Sequence, residues 1–88
     1  MINFICRSKS LYCFVQPVDE EYEFFVHLNI GYLVGRYRAG GWVCVGYGRG
    51  TEDNCVKAAK MRLAECEKVI KQFILTGDKK LLEANLKR

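Results

Sequence analysis

The chain has 88 residues, 50% of them apolar and 27% charged, with a net charge of +4. That suits one small domain with a modest core and is too apolar for a disordered chain. The mild charge also lacks the concentrated basic footprint of a dedicated nucleic-acid domain, and no apolar run reaches the ~20 residues of a membrane span.

Ile2–Arg7 and Leu11–Val18 are β-branched and aromatic runs split by Ser8-Lys9-Ser10, which predicts a hairpin. Pro17 has no N–H to donate to a ladder and marks a strand end or an edge. Asp19-Glu20 then turns the chain. Over Glu21–Ile30 the residues alternate, with Tyr22, Phe24, Val26, Leu28 and Ile30 on one face. Glu21, Glu23, His27 and Asn29 take the other face, with Phe25 the exception. A period of two with one polar face predicts an antiparallel strand covered on one side. Tyr32–Arg38 and Trp42–Gly48 read as a second hairpin closed at Ala39-Gly40-Gly41.

A helix follows. Thr51 is a good N-cap, and Glu52 and Asp53 place negative charge at the positive end of the helix dipole. Val56, Ala59, Leu63, Cys66, Ile70 and Phe73 recur alternately three and four residues apart, one continuous apolar stripe. Gly77 stands where a C-terminal glycine cap belongs, and Asp78 caps a last short helix carrying Leu81, Leu82 and Leu86. Phe73 is the one aromatic after residue 50, so strand-like and helix-like elements are segregated rather than alternating. The expected fold is α+β. It has an antiparallel sheet of four to five strands in hairpin order, covered by one long helix, plus a short C-terminal helix. Residues 1–88 make a single domain, with a sheet half at 1–50 and a helical half at 51–88.

The stretch from Tyr32 to Leu63 runs hairpin, Gly46-x-Gly48, then a helix opening with Ala58 and Ala59. In this it resembles the C-terminal half of a double-stranded-RNA-binding domain, and the related sheet-plus-helix antitoxins. The resemblance implies a sheet followed by a helix. In the RNA-binding family a lysine pair at the helix start grips phosphate, whereas Glu52 and Asp53 stand here, which argues against duplex RNA.

Catalytic chemistry finds little footing. His27 is the single histidine, so no nucleophile–imidazole machine can be assembled around a second one, and its parity predicts a solvated or hydrogen-bonded position between acidic neighbours. The five cysteines, Cys6, Cys13, Cys44, Cys55 and Cys66, include no C-x-x-C pair and no zinc spacing. They read as reduced, buried small hydrophobes of a cytoplasmic protein, and Met1–Arg7 carries no basic leader. Gly46-Tyr47-Gly48-Arg49-Gly50 is not a dinucleotide-binding fingerprint, and Glu52-Asp53 would repel a phosphate at that helix start. No enzyme, cofactor or metal site is expected.

The informative feature is the last hairpin. Parity places Tyr32, Val34, Arg36, Arg38, Val43, Val45, Tyr47 and Arg49 on one face, the seat of the long helix. Leu33, Tyr37, Trp42 and Cys44 occupy the other, among Gly31, Gly35, Gly46 and Gly48. Aromatic and arginine side chains are the usual anchors of protein interfaces. The expected function is therefore a small non-enzymatic protein-binding module, an inhibitor or regulator that occludes a surface of a larger protein or complex. Phage- and mobile-element-encoded inhibitors are one population of such domains. The expected contacts are Arg36, Tyr37, Arg38 and Trp42, with Asp19, Glu20, Glu21 and Glu23 as a second contact to a basic partner. The alternative is a single-stranded nucleic-acid-binding domain that stacks bases on the same aromatic and arginine face. Homodimerisation through an edge strand or the apolar helix stripe stays open.

Overall fold

A computed structural model describes residues 3–35 and 41–86, with side chains as far as residue 84. The chain order is β1 (Asn3–Arg7), β2 (Leu11–Val18), β3 (Glu21–Asn29), α1 (Ile30–Leu33), β4 (Trp42–Gly50), α2 (Glu52–Thr76) and α3 (Lys79–Leu86). The four strands form one antiparallel sheet in the order β1-β2-β3-β4, each pairing with its neighbour in sequence. The α+β architecture expected from the segregated halves is the one observed.

The first hairpin stands where the sequence predicts it. Ser8 N–H and Oγ both donate to the Leu11 carbonyl at 2.9 Å, closing the turn. Among the described residues the second hairpin does not form; residues 36–40 of it lie outside them. Tyr32 and Leu33 belong to α1, where Asn29 Oδ1 accepts from the Tyr32 N–H at 3.0 Å. That side-chain cap satisfies a helical donor and ends the strand. Gly35 follows in the left-handed region at φ 75°, which favours glycine. β4 pairs with β3 instead, from Asn29 opposite Trp42 to Tyr22 opposite Gly50.

β3 alternates as its sequence requires: Phe24, Val26 and Leu28 are buried. Leu11, Cys13 and Val15 from β2 join them, and α2 supplies Cys55, Ala59, Leu63, Cys66 and Phe73. The stripe on α2 thus packs on its own sheet rather than on a partner helix. Thr51 Oγ1 accepts from Asn54 N–H at 3.2 Å at one end, and Gly77 caps the other in the left-handed conformation at φ 69°. Asp78 Oδ1 accepts from Lys80 N–H at the start of α3, whose Leu82 closes the core.

One departure governs the second face. Val26 pairs with Gly46 but His27 pairs with Cys44, leaving Val45 as an extra residue, a β-bulge. Parity reverses across it. Val45 is buried under α2, and Gly46 and Gly48 also turn toward the core. Tyr47 and Arg49, expected under the helix, lie instead on the opposite face with Trp42 and Cys44. Arg62 of α2, only 9% exposed, donates from Nε to the Val45 carbonyl at 2.8 Å and pairs with Glu65 at 3.6 Å. A Cβ on Gly46 would stand 2.8 Å from Arg62 Cγ, and one on Gly48 would stand 2.6 Å from the Phe24 ring. Glycine is required at both places because α2 and Phe24 already fill the space. Gly46→Ala is therefore expected to lower stability by about 1–3 kcal/mol through overpacking, measured as a lower denaturation midpoint in urea.

Candidate functional site

The sheet has one face closed by α2 and one face without a covering element among the described residues. The open face is tiled with rings from every strand. Tyr12 and Phe14 of β2 stand directly opposite His27 and Phe25 of β3, forming a central tetrad. Tyr12 stacks on His27 at 4.7 Å with an interplanar angle of 9°, and Phe14 stacks on Phe25 at 5.1 Å. The edge strands extend the array. Phe4 of β1 lies 5.9 Å from Phe14, Trp42 of β4 meets Tyr12 edge-on at 4.8 Å, and Tyr47 lies 4.9 Å from Phe25. Such pairs contribute ~0.5–1.5 kcal/mol each beyond their buried area. Mutual packing half-buries the central rings, while Phe4 and Tyr47 remain 48% and 51% exposed.

Both edge strands reach this arrangement through a bulge. In β1 the register shifts between Phe4 and Cys6, so Phe4 opposite Phe14 and Arg7 opposite Tyr12 share the open face despite their odd separation. The Arg7 guanidinium lies 4.9 Å from the Phe4 ring centroid, a cation–π contact. Phe4, Arg7, Ser8, Tyr12, Phe14 and Trp42 line a shallow depression of about 350 Å³.

Charge is divided between the two ends of this face. Arg7 and the exposed Lys9 stand at the end with the β1–β2 turn. Asp19 and Glu20 in the β2–β3 turn, with Glu21 and Glu23 at the start of β3, stand at the other. Arg49 is held there at 3.5 Å from Asp19 and 3.4 Å from Glu21. Glu23 accepts from Gln16 Nε2 at 2.6 Å and from Tyr47 OH at 3.0 Å. Among the described residues Arg7 has no carboxylate partner.

Of the expected contacts, Trp42 lies on the open face and lines the depression. Arg36, Tyr37 and Arg38 fall outside the described residues. The acidic group does assemble, at the end of the sheet remote from Trp42. Sequence reasoning missed most of the ring array. Tyr12 and Phe14 alternate with Leu11, Cys13 and Val15, so β2 is apolar on both faces and its parity carries no contrast. Phe25, set aside as an exception, belongs to the same array.

His27 departs from its expected solvated role. It is packed among Tyr12, Phe14 and Phe25, and its Nδ1 is buried with no hydrogen-bond partner among the described residues. Burial lowers its pKa below the ordinary 6.5. The cysteines are also more varied than expected: Cys13, Cys55 and Cys66 are buried, but Cys6 is half-buried and Cys44 exposed. Burial, with Cys6 and Cys66 nearby, pushes the Cys13 thiol up to about 11, and burial also raises Cys6 and Cys55. No cluster of His, Cys, Asp or Glu among the described residues is placed to hold a metal ion, and no described helix is long and apolar enough to cross a membrane.

No protein-family model, curated protein or solved structure matches the chain.

Because folding lowers the His27 pKa, the unfolded chain takes up the proton first. The contribution of the neutral imidazole is whole above about pH 6.5 and is lost as the pH falls through that value toward the lower folded pKa. The melting temperature is expected to fall across that window. His27→Phe, which keeps a ring in the stack, should flatten the fall; an unchanged pH profile in the variant would refute the assignment.

Proposed function

We propose that the chain is a small non-enzymatic protein-binding module, an inhibitor or regulator that acts in the cytoplasm by covering a surface of a larger protein or complex, and that the open sheet face is its docking surface. The observation that carries this reading is the band of rings from Phe4 to Tyr47, spread over four strands on the face that α2 leaves uncovered. Protein interfaces have such a centre, aromatic and poor in charge, with charged residues at the rim. Trp42, Tyr12 and Arg7 are of the residue types that dominate binding energy.

The stacked rings also favour a second reading, a platform for unpaired bases. A single strand brings one phosphate per nucleotide and calls for a basic path along the rings. Among the described residues this face offers Arg7 and Lys9 at one end only, holds Arg49 in ion pairs, and places Glu21 and Glu23 at the other end. The charge pattern therefore favours protein.

The test is affinity capture from a cytosolic lysate with and without nuclease, using wild type, Tyr12→Ala and Trp42→Ala as bait. A stoichiometric protein that survives nuclease and is lost at least ~tenfold with either variant is expected, as for an interface anchor. Recovery of nucleic acid with steep salt weakening would replace this reading with the base-stacking one.

A further inference from the structure

We propose that this face also binds a second copy of the chain, face to face and antiparallel, so that a homodimer is its resting occupant. The inference rests on the reading of the open face as a protein-docking surface and names one partner for it. Its carrying observation is that the face is complementary to itself. Arg7 and Lys9 stand at one end, with no carboxylate partner among the described residues, and Asp19, Glu20, Glu21 and Glu23 stand at the other. Even with Arg49 counted against it, the acidic end keeps an excess of negative charge. A two-fold axis between two such faces, running across the strands, lays each Arg7 end over the partner's acidic end. The ring band then meets the partner's ring band, an isologous contact in which the same patch serves both copies. Parallel stacking would instead oppose like charges at both ends, which the arrangement disfavours.

The size of the face sets the expected strength. Four strands about 4.8 Å apart and about eight residues long make a face of roughly 500 Å². Two faces together approach ~1,000 Å², the lower limit for a specific interface. A weak dimer follows, one that dissociates for a better partner and weakens with salt, since its end contacts are exposed ion pairs.

Sedimentation equilibrium of the full chain from about 5 to about 500 µM, at ~50 and ~500 mM sodium chloride, tests this. Wild type is expected to dimerise within that range and to weaken at the higher salt. Arg7→Glu/Lys9→Glu makes both ends acidic, and Glu20→Lys/Glu21→Lys reduces or reverses the acidic end. Each alone should dimerise at least ~tenfold more weakly, and an equimolar mixture of the two should recover the association, because each variant then meets its opposite. Recovery on mixing also excludes misfolding as the cause of the loss. A wild type that stays monomeric, a dimer indifferent to the charge reversals, or a mixture that fails to recover would each overturn the proposal. A monomer that still captures a protein partner through Trp42 would overturn the dimer alone, whereas a dimer whose affinity ignores Trp42→Ala would count against the docking face itself.

Discussion

The bond from Arg62 Nε to the Val45 carbonyl at 2.8 Å holds the feature on which both faces of the sheet depend. A bulge leaves one residue of the strand out of the ladder, and its carbonyl must find another donor where no water reaches. α2 supplies that donor from the middle of its buried stripe. With the bulge in place, Gly46 and Gly48 face inward, where α2 and Phe24 leave no room for a side chain. Tyr47 and Arg49 face outward. Without it, Tyr47 and Arg49 would point into the helix interface and two glycines would interrupt the ring array. Core packing and surface chemistry are therefore decided at one position.

The bulge in β1 performs the matching operation on the other edge. It brings Arg7 round to the face that holds Phe4, so that a cation ends up over a ring. Bulges at both edges also discourage open-ended pairing of strands between molecules, because they twist and interrupt the free ladder. The open face is neither a polar solvent face nor a second core. Its rings partly desolvate one another, and the His27 Nδ1 is buried at their centre without a hydrogen-bond partner among the described residues.

The distribution of charge gives the face a direction. The acidic residues gather at the β2–β3 turn, where Arg49 from the end of β4 holds two of them, and Glu23 is occupied by Gln16 and Tyr47. Exposed ion pairs of this kind contribute little to stability, about 0–1 kcal/mol, so their effect is chiefly on which charges remain open to a partner. Arg7 and Lys9 have no carboxylate partner among the described residues and lie at the far end. On the proposed docking reading, this polarity would orient a bound protein while the ring band supplies the apolar area.

Much of the architecture was legible in the sequence because local signals there point one way. The alternation in Glu21–Asn29, the stripe from Val56 to Phe73, and the caps at Thr51 and Gly77 each act over a few residues and depend on no distant contact. The parity that set Trp42 apart from the helix-covered face came from an expected pairing with Tyr32–Arg38, whereas β4 pairs with β3, so the exposure of that face was not legible in the sequence. Three things were decided only by the tertiary structure. Tyr32 and Leu33 have strand-like character, but the Asn29 side chain caps a short helix there and β4 takes its place beside β3. Tyr12 and Phe14 sit in a strand apolar on both faces, so only the docking of α2 on one of them distinguishes core from open surface. The bulge at Val45 leaves no mark in a two-residue period, since one extra residue becomes visible only against the register of its neighbour and the helix that binds its carbonyl. Local propensity thus sets which segments become strands and helices, and the pairing between them sets which way each side chain of the open face points.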